Sequence, residues 1–425
     1  MRVRVSSLLR IRHTATLSLP LPASTSKHNS ISYSTLLKTV PQYSSPVNAE
    51  PLHRYTAGGY HPITLGNLLH DGRYKILHKL GWGGYSTVWA ARDEQYLEGR
   101  YVAINICVSE NHSDRGDRQI DILKSLASSQ HVVHILNHFD IEGPNGIHSC
   151  LVLEMLGSSV SDLVEERFAD GRLPGHIAKS AAKQAMMGLN SLHRRKIAHG
   201  DFHIRNLAFT IPSMANVPEH EFIDILGKPD IGVVRRNDGK CLEPGIPEYI
   251  VRPASSHTRS WPLSDTIKIV DFGESFSPDN VPKTLHTPVV VRAPEVIFKD
   301  RLDYRVDLRS LGCMLFELFV GQPPFDNFLI TPKILVEQMQ EITNEALPER
   351  WVPLWESMPG DDATADNGPK LQEWLEETYF DGERKEELTR DDIVELGRII
   401  RELLRFEPAA RASVKEILND PWFRE

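Results

Sequence analysis

Between Arg73 and Val108 the chain runs through three short stretches of mixed apolar and polar residues. RYKILHKLG, STVWAARD and YVAINICV are rich in β-branched and aromatic residues, with Gly, Asp or Glu at their boundaries. That pattern predicts neighbouring strands of an antiparallel sheet. The period then changes: in DRGDRQIDILKSLAS, Ile120, Leu123 and Leu126 recur near one face, which predicts an amphipathic helix. HSCLVLEML reads as a further buried strand. From Pro174 the helical period dominates, and PGHIAKSAAKQAMMGLNSLHRRK predicts one long helix leading into a turn-rich stretch with HGDFHIRN. The expected architecture is an α+β fold of two lobes, a β-rich one over residues 55–155 and a larger helical one over 156–425.

Two segments stand out from this plan. Residues 211–265 are rich in Pro, Gly and charge and contain RRNDGK and EPGIPEY, so they read as an inserted loop with short strands of its own. Between Glu356 and Asp392 acidic residues outnumber basic ones about three to one, in helical stretches broken by PGDDATADNG. This is a solvated face or a docking surface for a basic partner.

The first 54 residues are expected to lie outside the fold. From Met1 to Ala49 there is no Asp or Glu, while Arg2, Arg4, Arg10 and Arg12 lie among many Ser, Thr and Leu. Such a composition suits either a mitochondrial transit peptide or a disordered arm without an address, the second leaving a cytoplasmic or nuclear protein.

Composition removes some classes of function. A net charge of −9 argues against direct nucleic-acid binding, which depends on neutralising phosphates with Lys and Arg. No apolar stretch is long enough to cross a bilayer. The four cysteines lack C-x-x-C spacing, so neither a zinc site nor a disulfide framework is indicated.

The motifs that carry chemistry occur in a fixed order. LGWGGYSTVW sets Gly81 and Gly83 between two strand-like runs, with Val88 in the second; glycines there let backbone N–H groups close over phosphates. HGDFHIRN holds His199, Asp201 and Asn206, with Asp and Asn at D-x-x-x-x-N spacing. IKIVDFGES puts Asp271, Phe272 and Gly273 at the end of an apolar strand, and VVVRAPEV, DYRVDLRSLGC and LLRFEPAARAS follow. From about Arg73 to Phe423 the chain resembles the eukaryotic protein kinase family. GWGGYSTVW with Ser86 at the usual third glycine, Arg292 before Ala293-Pro294-Glu295, and the insertion after the catalytic loop make it most similar to SR-protein kinases, which phosphorylate Arg/Ser-repeat proteins.

That resemblance implies a serine/threonine kinase, acting as a monomer on ATP with Mg2+ and on a basic or Arg/Ser-rich protein. It implies Asp201 as the group that accepts the substrate hydroxyl proton, Asn206 and Asp271 as magnesium ligands, and Gly81 and Gly83 as the phosphate loop. Val88, Asn105, Glu154 and Leu156 would line the nucleotide site. Glu295 should pair with Arg411, and Asp307 should brace the catalytic loop.

The pattern breaks at the phosphate-gripping lysine. VAIN at residues 102–105 puts Asn105 where the family reads V-A-I-K, and the partner glutamate on the next helix corresponds to Gln119. An Asn–Gln hydrogen bond can tie strand to helix, but amides do not neutralise phosphate. Neither obvious replacement cation is well placed: Lys79 has the wrong strand parity and Arg92 would lie away from the phosphates. His203 replaces the catalytic-loop lysine. Arg205 sits where tyrosine kinases carry an arginine, and either reaches the γ-phosphate or makes a surface ion pair. Gly200 replaces the arginine of H-R-D, so switching by loop phosphorylation is not expected. Ser275, Ser277, Thr284 and Thr287 read as exposed hydroxyls. A pseudokinase, which keeps the fold and binds ATP without transferring phosphate, is the rival expectation.

Overall fold

A computed structural model describes residues 41–96, 99–111, 114–254, 264–325, 330–359, 370–381 and 386–424. A short strand β1 (Tyr43–Ser44) comes first. The N-terminal lobe is then built from β2 (Leu68–Leu69), β3 (Tyr74–Gly83), β4 (Ser86–Asp93), β5 (Arg100–Cys107), the helix α1 (Asp114–Ser125), β6 (Ile135–Gly143) and β7 (Gly146–Glu154). The strands form one antiparallel sheet in the order β2-β3-β4-β5-β7-β6. Val88 is paired with Asn105 across β4 and β5, and Asn105 with Leu151 on β7. Directly opposed residues share a face, and alternation along β5 adds Ala103 to it.

The second lobe opens with α2 (Val160–Arg167), α3 (Gly175–His193) and β8 (Leu207–Phe209). The insertion contributes α4 (Glu219–Leu226), β9 (Ile231–Val233), β10 (Arg235–Arg236) and β11 (Tyr249–Val251). After it come β12 (Ile267–Ile269), α5 (Pro294–Ile297), α6 (Val306–Val320), α7 (Pro332–Thr343), α8 (Val352–Glu356), α9 (Leu371–Tyr379) and α10 (Arg390–Leu403). α6 is apolar nearly all round and buried, as a central helix must be. The long helix expected after Pro174 is α3; its small residues let β12 come close, since a Cβ at Gly188 would lie 2.7 Å from Ile269.

β8 and β12 form a two-stranded antiparallel ladder in which Leu207 faces Ile269. One strand begins just after Asn206 and the other ends just before Asp271. Val270 N–H donates to Asn206 O at 2.9 Å, so residues far apart in the chain meet at one end of the ladder.

The insertion folds against the N-terminal lobe. Phe222 of α4 is buried and stacks on Tyr101 with ring centroids 3.7 Å apart, a burial worth about 2–3 kcal/mol. Glu219 takes the Lys75 ammonium at 2.8 Å and lies 3.6 Å from Arg92. Both cations are thereby held by the insertion, outside the cleft described below.

Residues 41–54 correct the expectation that the chain before Tyr55 lies outside the fold. β1 pairs with β10, and Tyr43, Val47 and Tyr55 share a small core with Val234 and Ile250 of the insertion. Glu50 is buried and bonds both the Lys79 ammonium and the Tyr55 hydroxyl. Lys79 also lies 4.7 Å from the Trp89 ring centroid. Its side chain is committed on the face of the sheet away from Val88. Acid-poor sequence signalled disorder here, but the ordering contacts come from distant segments that a local pattern does not reveal. Residues 1–40, and most of PGDDATADNG, lie outside the described residues. Among the described residues no helix is long and apolar enough to cross a membrane.

Candidate active site

A cleft of about 500 Å3 opens where the two lobes meet. Its apolar walls include Leu80, Val88, Ala103, Leu153, Met155 and Leu156. Gly81 and Gly83 form its roof, and Asn206, Asp271 and Arg205 line it from the second lobe. Ala103, Met155 and Asp162 are lining residues that the sequence motifs did not single out. Ala103 was within reach, two residues before Asn105 on the same strand. A smaller chamber of about 210 Å3 adjoins the cleft, lined by Gly83, Gly84, Asn105, Gln119, Asp201 and Asp271 among others.

The catalytic-loop residues are fixed by short hydrogen bonds. Asn206 Nδ2 donates to Asp201 O at 2.8 Å and lies 3.2 Å from Asp201 Oδ2. His203 Nε2 sits 3.4 Å from Asp201 Oδ1, which has no shorter partner. Burial works to raise the Asp201 carboxyl, but the neighbouring His203 and the hydrogen bond from Asn206 outweigh it. The net effect holds Asp201 below the ordinary aspartate range.

His199 is buried beneath this loop. Its Nε2–H donates to Val270 O at 3.0 Å, its Nδ1 faces Asp201 N–H at 3.3 Å, and Phe272 packs edge-on against its ring. Asp271 itself is in the left-handed backbone region, with φ of 61°, and its carboxylate is exposed to the cleft.

Asn105 and Gln119 do face each other's region, because both line the cleft and the chamber. The expected amide–amide hydrogen bond is absent among the described residues: Asn105 Oδ1 is buried without a partner. Glu154 borders the cleft, and its Oε1 accepts from Lys268 Nζ at 2.6 Å and His134 N–H at 2.7 Å. Arg205 is exposed, and its charge acts on the half-buried Glu317, whose carboxyl is pushed up by desolvation.

A family model described as the protein kinase domain matches residues 74–216 and 258–423. The chain belongs to the protein kinase family. It is similar to the serine/threonine-protein kinase SRPK of Physarum polycephalum, with 28% identity over 398 residues covering 87% of this chain and 90% of that protein. It is 35% identical over 166 residues to SRSF protein kinase 3 of Homo sapiens, and 31% identical over 182 residues to the kinase SKY1 of Saccharomyces cerevisiae. Those matches cover 37% and 40% of this chain, and 29% and 24% of the relatives.

The braces expected of a kinase are present. Arg411 grips Glu295 through two bonds of 2.6 and 2.7 Å. Asp307 accepts from His199 N–H at 2.7 Å and Gly200 N–H at 2.9 Å, holding the catalytic loop by its backbone. Gly200 has φ of 79°, and a Cβ would lie 2.5 Å from Glu274 O, so this kinase uses glycine where an arginine side chain would be strained.

The segment between Asp271 and Glu295 is tied to the catalytic loop and to itself by hydrogen bonds. Thr287 Oγ1 donates to Gly200 O at 2.7 Å, Arg292 donates twice to Thr287 O, and Glu274 takes the His286 backbone N–H at 3.2 Å. Ser275 and Thr287 are therefore buried, hydrogen-bonded residues, correcting the expectation of exposed hydroxyls.

Protein kinases as a family use ATP and Mg2+. The donor set fits a hard cation shared with phosphate: one exposed carboxylate at Asp271 and the amide of Asn206, whose Nδ2 is already used. Among the described residues no group of three His, Cys, Asp or Glu side chains could hold a metal alone.

Proposed function

We propose that this kinase transfers the γ-phosphoryl group of ATP to serine and threonine hydroxyls of basic, Arg/Ser-rich proteins. The observation that carries the reading is the convergence of Asp201, Asn206 and Asp271 beneath the Gly81–Gly83 hairpin. Asp201, kept ionised, is suited to accept the proton of the attacking hydroxyl. Asn206 and Asp271 would hold magnesium, which neutralises phosphate charge when bound. Val88 and Leu156 offer apolar contact to the base, and Glu154 its backbone. Arg205 is the cation of the cleft lining closest in sequence to Asn206. Similarity to SRPK-type kinases and the net charge of −9 support a basic substrate.

The reading is tested by phosphate transfer from γ-labelled ATP with Mg2+ to an Arg/Ser-repeat peptide and to a peptide with Glu in place of Arg, beside an Asp271→Asn control. Labelling of the Arg/Ser peptide alone, lost in the control, is expected. Equal labelling of both peptides would reject the substrate class, and none in a folded preparation would leave a nucleotide-binding scaffold.

Restoring the lost ion pair should strengthen nucleotide binding. A hydrogen bond from a charged donor exceeds a neutral one by about 1 kcal/mol, so Asn105→Lys with Gln119→Glu should tighten MgATP by about fivefold. Titration with a fluorescent ATP analogue measures this. No change would mean that the cleft holds phosphates by other groups.

A further inference from the structure

The phosphate loop is gripped from outside by the segment that precedes the sheet. Tyr60, 1% exposed, donates its hydroxyl proton to Gly83 O at 2.8 Å. The residue is held firmly: its N–H donates to Arg54 O at 3.0 Å, and its carbonyl accepts from Asn145 Nδ2 at 2.7 Å. Asn145 O in turn accepts from Gly58 N–H at 2.8 Å. The turn needs its paired glycines, since Gly58 has φ of 84° and a Cβ on Gly59 would lie 1.8 Å from Arg54 O. The Arg54 guanidinium caps the Tyr60 ring at 5.1 Å.

A trans peptide unit points its C=O and its N–H in opposite directions. A bond that fixes Gly83 O toward Tyr60 therefore directs Gly84 N–H away from Tyr60. Gly83 and Gly84 line the chamber that also holds Asp201 and Asp271, whereas Tyr60 lines neither cavity. We propose that Tyr60 is a positioning residue, setting the Gly83–Gly84 peptide so that Gly84 N–H faces a nucleotide phosphate.

This rests on the reading of the cleft as an ATP site. Gly83 is the last residue of β3, opposite Ser86, and the peptide it shares with Gly84 enters the turn, where two adjacent glycines resist a flip less than other residues would. The flipped form would turn an oxygen toward the phosphates. With an uncharged Asn105, backbone donors carry more of the phosphate charge than in a kinase that keeps the lysine. Burial raises the Tyr60 hydroxyl above its ordinary value, so it remains a donor at neutral pH.

The test is equilibrium binding of ATP, ADP and adenosine, with Mg2+, to the full chain and to Tyr60→Phe, with melting curves for both. Loss of one such bond should weaken ATP and ADP by about fivefold and leave adenosine unchanged. Equal weakening of adenosine would make Tyr60 a merely structural residue, and unchanged ATP binding would also overturn the proposal. If the parent chain bound adenosine as tightly as ATP, the ATP reading would fall and this assignment with it. Should Tyr60→Phe not fold, Gly84→Pro removes the N–H and leaves Tyr60 intact. The same phosphate-selective loss is expected there, and undiminished ATP binding would contradict it.

Discussion

Asp201→Asn is expected to lower the rate of phosphate transfer by about 10² to 10⁴, the usual contribution of a positioned proton acceptor. The substitution keeps size and shape, so the Asn206 Nδ2 bond to the residue 201 carbonyl should persist. What it removes is the carboxylate that His203 and Asn206 hold ionised. ATP affinity should change little, because Asp201 is not placed to hold the base or the metal. A steady-state assay on an Arg/Ser peptide would show kcat falling with the KM for ATP nearly constant. A comparable loss in ATP affinity would assign Asp201 to nucleotide binding instead.

Lys79→Met is expected to destabilise the protein by about 3–5 kcal/mol, the cost of leaving one charge of a buried pair alone. Lys79 and Glu50 are both essentially inaccessible, and Glu50 also receives the Tyr55 hydroxyl. Burial lowers the Lys79 ammonium and the charge of Glu50 raises it, so the pair stands only while both members are present. Adding Glu50→Gln should recover much of the loss, because the stranded carboxylate is then gone. Urea denaturation of the single and double variants measures both. A single variant as stable as the parent would mean that the Lys79–Glu50 pair contributes nothing to the fold.

That segment marks the limit of what the chain's own pattern reveals. Strand alternation located β3, β4 and β5, and the helical period located α1 and α3, because each buries one face within its own lobe. Pairing of Tyr43 with Arg236, or of Glu50 with Lys79, depends on partners far along the chain, and nothing local announces it. Helix α4 was legible in principle: Phe222, Ile225 and Leu226 follow an i, i+3, i+4 pattern, but Pro- and Gly-rich surroundings hid it.

The site was more legible than the segments that support it. Asp201, Asn206 and Asp271 converge because β8 and β12 pair directly beside them, and the motif order carried that information. Asn105 and Gln119 were found as a pair by resemblance, yet their hydrogen bond does not form. Side-chain orientation at a strand–helix junction depends on packing that spacing does not encode. The parity of Lys79 relative to Leu80 did exclude it from the cleft, which Leu80 lines and Lys79 does not, although β3 is irregular between Lys79 and Gly81.

The central claim is that this cleft transfers phosphate without the strand lysine. A single-turnover experiment, with enzyme in excess over γ-labelled ATP and saturating Arg/Ser peptide, tests it most directly. The account predicts label on peptide serine in the parent chain and almost none in Asp201→Asn. ATP that binds but yields no labelled peptide in the parent would contradict it, and would make Asn105 the mark of a kinase that has lost its reaction.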